Sequence, residues 1–409
     1  MVAYVFGIVL FALGIGVSVA LHEFGHLLTA KAFGMKVTRY FIGFGPRLWS
    51  FRRGETEYGL KAIPAGGFCE IVGMTALEQV PEADSPRAFY RKPVWQRVIV
   101  LCAGSVTHFI LGFVILYFMA VSMGLPNLQD KPVVGEVSQC APATQDPRTF
   151  QYSPCGPNDP APARNAGIKP GDLIVSVAGR PTPTYTDVVN VTRQASGPTP
   201  FVVERGGQRL TLIVDVAKVQ RVTDLNARPG QNNKLATVSA VGLANTTMFH
   251  YGAVGALGGA TRFTGDMFAG AWTGLKQLPS KIPPLIKAIG GGQRDLNSPV
   301  SVVGATRIGG EAAEQGLWPL FVLLLANLNF FIGVFNLLPL LPLDGGHVAV
   351  NLYEKVRDSV RRLWGKPAGG PVDYTKLLPL TYAVIFVGGA VVLLTVTADI
   401  VNPIRVFGQ

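Results

Sequence analysis

The reading of this chain turns on Val17-Ser18-Val19-Ala20-Leu21-His22-Glu23-Phe24-Gly25-His26, where an apolar run that begins at Met1 ends in two histidines and a glutamate. Histidines four positions apart lie on one face of a helix and can chelate one zinc ion, and the intervening Glu23 can serve as general base. The bland alternative is a pair of interfacial histidines beside a glutamate that snorkels to water. Against it, an ionisable group at the end of an apolar span is costly without a partner or a function.

Working outward, Met1 to Leu21 is the first of four long stretches free of Asp, Glu, Lys and Arg; the others are Val98 to Gly124, Leu317 to Leu343 and Leu377 to Ala398. Each is long enough to cross a bilayer as a helix, which takes about 20 residues. The composition agrees, with 48% hydrophobic and only 15% charged residues. The first stretch lacks the basic n-region of a signal peptide and reads as a retained helix. The net charge of +11 does not point to nucleic acid, because Lys and Arg concentrate in two short loops, 11 in Leu27 to Arg97 and 6 in Gly345 to Lys376. The long segment Leu125 to Gly316 carries 18 over a much greater length. By the positive-inside rule the short loops are cytoplasmic, and both termini and the long segment lie outside, with attraction to anionic lipid headgroups as a by-product. Cys140 and Cys155 fall in the outer segment, where a disulfide is permitted, whereas Cys69 and Cys102 read as packing residues. No pair has a zinc-binding CxxC spacing.

A second stretch, Asn336-Leu337-Leu338-Pro339-Leu340-Leu341-Pro342-Leu343-Asp344-Gly345-Gly346-His347, breaks the third span with two prolines and two glycines around a carboxylate. Irregular backbone at that depth is tolerated only where it is buried in protein or lines a watery cavity. A catalytic zinc takes three protein ligands and leaves one position open. With His22 and His26 supplying two, Asp344 is the natural third. His347 competes for the role, but two histidines and a carboxylate suit peptide hydrolysis better.

Between these motifs the basic, Gly-rich segment Lys36 to Met74 contains Leu48 to Phe51 and Tyr58 to Ile63 flanking Arg52-Arg53-Gly54-Glu55, the pattern of a hairpin. Residues Thr75 to Pro93 form a polar, proline-bearing connector. From Lys131 to Val219 the text becomes β-rich, with strands expected at Leu173 to Val177, Phe201 to Glu204 and Leu210 to Val216, a short helix at Asp187 to Gln194, and a loop at Cys140 to Pro162. From His250 to Ile289, Phe263, Met267, Phe268, Trp272 and Leu275 recur at helical spacing beside basic residues. This describes either an interfacial amphipathic helix or a helix packed on the soluble segment.

The two motifs, their order and their placement in spans one and three resemble the site-2 protease family of intramembrane zinc metalloproteases, in its actinobacterial branch, over essentially the whole chain. The resemblance implies one zinc ion at His22, His26 and Asp344, base catalysis by Glu23, and contact of Asn336 with the substrate backbone. It implies as substrates single-span membrane proteins already trimmed outside, typically anti-sigma factors. Gly43-Phe44-Gly45-Pro46 with Gly66-Gly67-Phe68 resembles the family's re-entrant β-loop, which would receive an unwound substrate by strand addition, although an ordinary cytoplasmic hairpin has the same pattern. Ala166 to Ile174 resembles the family's PDZ domain, acting as a size filter or as a receptor for a trimmed substrate C-terminus, and Asn297 to Gly304 resembles a family stretch before span three. One departure stands in span two, where Gly104-Ser105-Val106-Thr107-His108 carries His in place of the family's usual Asn. His108 either hydrogen-bonds in the bundle or sits near the centre as a proton-active group.

The expectation is therefore an α-helical polytopic protein of the plasma (inner) membrane with four transmembrane helices, a re-entrant β-hairpin and an inserted α+β PDZ domain. Its expected order is helix one at 1–35, hairpin and connector at 36–96, helix two at 97–124, the extracytoplasmic PDZ domain at 131–219 and a juxtamembrane segment at 220–316. Helix three follows at 317–345, a cytoplasmic loop at 346–376 and helix four at 377–400. The rival readings are a metal transporter or sensor that uses the same ligands without hydrolysis, and an inactive PDZ scaffold. Glu23 argues against the first and Asp344 against the second.

Overall fold

The computed structural model describes residues 1–74, 78–224, 230, 233–295 and 297–404, at 64 and 65 the backbone alone. Thr75 to Leu77, at the start of the expected connector, and short pieces of 220–316 lie outside the described residues. The chain forms two compact units, Met1–Met123 with Tyr251–Gln409, and Gly124–His250.

The first unit opens with α1 (Val2–Ala32), followed by the antiparallel pair β1 (Val37–Arg53) and β2 (Thr56–Ile71). The hairpin turns at Arg53 opposite Thr56, around Gly54 at φ +63°. Its strands are longer than the two short runs the sequence suggests. They include Gly66-Gly67-Phe68, and β1 bends through bulges at Gly43 and Gly45, both at positive φ. A side chain at Gly43 would stand 2.8 Å from the Lys61 carbonyl, which is why a glycine sits there. Leu48, Trp49, Leu60 and Ile63 all turn outward, an apolar surface ill suited to bulk water. Next comes α2 (Val94–Ser122), packed closely on α1 at Gly25, where a Cβ would meet Thr107 Oγ1 at 2.5 Å and the Ala103 carbonyl at 2.7 Å.

The second unit contains β3 (Leu125–Pro126), β4 (Val134–Val137), α3 (Pro162–Asn165), β5 (Leu173–Val177), β6 (Arg180–Pro181) and α4 (Tyr185–Gln194). It continues with β7 (Gly197–Arg205), β8 (Gln208–Val222), β9 (Leu235–Ala240), β10 (Leu243–Asn245) and β11 (Met248–Phe249). Five strands form one sheet in the order β6-β5-β7-β8-β9, so β9 is an edge strand. Ile174, Val177, Phe201, Val203 and Val214 make the core beneath it. Thr184 and Asp187 cap α4 reciprocally, and Cys140 is disulfide-bonded to Cys155. The unit spans Gly124–His250 where 131–219 was expected, because β8 extends to Val222 and pairs with β9, and β3 at the start pairs with β11 at the end. A cavity of about 490 Å³ lies between α4 and β9, lined by Tyr185, Val188, Arg193, Arg221 and Ser239 among others.

The chain then returns to the first unit as α5 (Ala253–Ile289), α6 (Val302–Glu314), α7 (Trp318–Asn336), α8 (Asp344–Leu363) and α9 (Leu378–Val401). Among the described residues, four helical segments are long and apolar enough to cross a membrane: Val2–Ala32, Val94–Ser122, Trp318–Asn336 and Tyr374–Val401. The amphipathic pattern of α5 is spent on α2, α7 and α9, with Phe268 against Phe109 and Phe330 at ring separations of 4.8 and 5.2 Å. The third apolar helix stops at Asn336 instead of reaching 345, because Pro339 and Pro342 have no N–H to give to a helix. Near the far end of the chain Asp399 and Arg294 form a fully buried ion pair at 2.6 Å, and Asp399 also accepts from the backbone and hydroxyl of Ser301. The stretch Asn297 to Gly304 is thereby tied to α9.

Candidate metal centre

Two helices and the turn before the second bring the centre together. The helical spacing in α1 puts His22 and His26 on one face, and both are buried. After the Leu337–Leu343 turn, α8 starts at Asp344, where the positive end of the helix favours a carboxylate. Gly346 lets that start press against the turn, since a Cβ there would lie 2.5 Å from Leu341 N.

The ligand atoms form a triangle. His22 Nε2 and His26 Nε2 are 3.2 Å apart, and each stands 3.4 Å from Asp344 Oδ2. Ligand atoms held about 2.05 Å from one zinc ion at tetrahedral angles would be separated by about 3.3 Å. The proton count agrees. His26 Nδ1 donates to the Val100 carbonyl at 2.7 Å, so its Nε2 presents a lone pair to the centre. Asp344 Oδ2 is buried without a hydrogen-bond donor among the described residues. Lone pairs turned on one another in a buried place repel unless a cation lies between them. The donor set therefore fits a divalent metal, and its chemistry of two imidazoles and one carboxylate suits zinc with an open position.

Glu23 stands half-buried beside this triangle. Gly67 of β2 backs onto it so closely that a Cβ there would lie 2.8 Å from Glu23 Cγ. The hydroxyl of Tyr40 on β1 donates to the Ala20 carbonyl at 2.7 Å, which fastens the hairpin to α1 at this level. Phe68 stacks with Phe41 and Phe44. Thus His22, Glu23, His26, Asp344, Gly66, Gly67 and Phe68 belong to one neighbourhood. Asn336 ends α7 eight positions before Asp344 and makes no hydrogen bond to the three ligand candidates among the described residues. His347 is directed elsewhere, with Nδ1 3.4 Å from the Tyr374 hydroxyl, which leaves Asp344 as the third member of the triangle.

Two contributors escaped the sequence reading, the Val100 carbonyl and Asn329, and Gly104 stood there only as part of the span-two motif. A side chain at Gly104 would run into the rings of both His22 and His26. Asn329 is fully buried and hydrogen-bonded to His108 at 2.8 Å. Amides at Asn327 and Asn329 in the middle of an otherwise apolar span were the available signal.

The model of peptidase family M50 matches residues 10–368. The chain belongs to peptidase family M50, the site-2 protease family. Among curated relatives it is 46% identical to the zinc metalloprotease Rip1 of Mycobacterium bovis (strain BCG), over 99% of both chains. It is 46% identical to that of Mycolicibacterium smegmatis over 98% of both, and 45% identical to that of Mycobacterium tuberculosis H37Rv over 99% of both.

Proposed function

We propose that the protein is an intramembrane zinc metalloendopeptidase in which His22, His26 and Asp344 hold the metal and Glu23 is the general base. The observation that carries this reading is the buried triangle of 3.2 to 3.4 Å beside Glu23, in a unit of apolar helices. When bound, zinc supplies a Lewis acid and an acidified water. Glu23 takes the proton from the attacking water on its carboxylate and returns it to the leaving amide nitrogen. A substrate helix hides its amides and must unwind to be cut. The hairpin, re-entrant in the membrane, receives the unwound stretch by strand addition, with Gly66, Gly67, Phe68 and Asn336 holding its backbone. Membership in peptidase family M50 and the Rip1 relatives support the chemistry.

The substrates are single-span membrane proteins already trimmed outside, of the anti-sigma-factor type. The enzyme lies in the plasma (inner) membrane with the metal toward the cytoplasm, as the basic short loops favour. The second unit is an extracytoplasmic PDZ domain, a placement that the Cys140–Cys155 bond supports. Its groove between α4 and the edge strand β9 takes a trimmed substrate C-terminus, and buried Arg221 on its wall offers charge to a carboxylate.

The deciding experiment compares wild type with Glu23→Gln, purified in detergent, for zinc content and for cleavage of a tagged, pre-trimmed single-span substrate. Zinc in both and cutting only by wild type is the expected result. Near-normal cutting by Glu23→Gln sinks the base assignment, and wild type without zinc sinks the metal centre.

A further inference from the structure

We propose that His108, held by Asn329, is a positioning residue for the metal ligand His22; this rests on the metal centre proposed above. Val100, Gly104 and His108 follow one another at four-residue intervals, so they form one stripe along α2. That stripe faces the ligand pair of α1. At one end Val100 receives the Nδ1–H of His26 at 2.7 Å. In the middle Gly104 leaves room for both imidazoles. At the other end the ring of His108 lies 5.0 Å from the ring of His22, centroid to centroid.

His22 has a need that this end of the stripe can meet. With Nε2 in the triangle, its Nδ1 carries the proton, and Nδ1 is buried with no hydrogen-bond partner among the described residues. A Cβ at Gly104 would stand 2.7 Å from that Nδ1, so this edge of His22 is turned to α2. The state of His108 follows from its own neighbour. Asn329 Nδ2 donates to the Leu325 carbonyl at 2.9 Å, so its Oδ1 is the atom facing His108 Nδ1 at 2.8 Å, and it can only accept. His108 Nδ1 therefore carries the ring proton, and Nε2 offers a lone pair. Ring nitrogens lie about 1.1 Å from their centroid, so an N–H···N contact of about 3 Å sets two imidazole centroids about 5 Å apart, the separation observed. Rotation of the two rings, now tilted by 42°, completes the bond. The sequence Leu325 carbonyl, Asn329, His108, His22 then fixes the tautomer and orientation of one metal ligand, as Val100 does for the other.

The test is Zn²⁺ affinity of the purified, metal-stripped full chain in detergent, by competition with a chromophoric chelator, together with the visible spectrum of the Co²⁺-loaded protein. His108→Ala is expected to weaken Zn²⁺ binding roughly 10–100-fold and to shift the Co²⁺ bands. His108→Asn, which keeps an acceptor in reach, recovers most of the affinity. Asn329→Ala moves affinity in the same direction, and combining it with His108→Ala adds little. Wild-type affinity and spectrum in folded His108→Ala overturn the proposal. Should His108→Ala fail to fold, Asn329→Ala decides, because it leaves both imidazoles in place, and unchanged affinity there overturns it equally. A wild type that binds no Zn²⁺ removes the metal centre itself, and with it this role.

Discussion

Gly104 is the residue on which both proposed histidine ligands rest. Any side chain there enters the space of His22 and His26, and helix backbone on α2 leaves it nowhere else to go. Gly104→Ala is therefore expected to reduce zinc affinity by about 10–100-fold while the protein still folds, measured as metal retained after dialysis against chelator. Wild-type retention would show that the rings have room to spare. Asp172 of the second unit illustrates a different dependence. Burial pushes its carboxyl up, but paired bonds from Arg205 at 2.7 Å and the Lys169 N–H outweigh that and hold it below the ordinary carboxylate range. A depressed carboxyl stabilises the fold above its unfolded value, about 3.9, and loses that contribution as pH falls through the folded value. The second unit should melt at progressively lower temperature as pH drops below about 4. Asp172→Asn should flatten this dependence, which circular dichroism can follow. That His22, His26 and Asp344 lie together was legible because these residues announce themselves by type and spacing. The Val100 carbonyl was not, since a backbone acceptor leaves no mark in a sequence.

Among the elements, the hairpin and the ends of α9 carry most of what the motifs do not explain. Gly67 brings β2 against Glu23, so Gly67→Val should push the strand off the proposed base. Cleavage should fall at least tenfold with zinc content unchanged; loss of zinc in parallel would mean that the strand supports the metal instead. At α9 the ion pair Arg294–Asp399 is almost wholly shielded from solvent. Asp399→Asn leaves the guanidinium buried and uncompensated, at a cost of about 3–5 kcal/mol. Thermal unfolding in detergent should register this as a clear fall in midpoint. Hydrophobic runs disclosed the spans themselves, because apolar length is a one-dimensional property. The strand pairing of β8 with β9 and the burial of α5 on α2, α7 and α9 are contacts between distant stretches, and β9 reads in isolation as an unremarkable linker.

At the scale of the whole molecule, the two units divide the chemistry of the chain. The disulfide belongs to the second, where it closes a loop with a sequence separation of 15. Closing such a loop is worth about 3 kcal/mol in chain entropy. Replacing Cys140 and Cys155 by Ser should lower the melting midpoint of the second unit and leave the zinc content of the first untouched. A loss of metal in that variant would contradict the division. The first unit is assembled from both ends of the chain, with its own interruption of 127 residues from Gly124 to His250. His26 and Asp344 are 318 positions apart, and neither hydrolytic water nor metal can be held until both are in place. At roughly 5–20 residues per second, a ribosome needs about 16–64 seconds to travel from one to the other. During that interval the growing chain lacks Asp344 and with it the third member of the proposed triangle. On that reading its power to cut arrives only once Asp344 has been made.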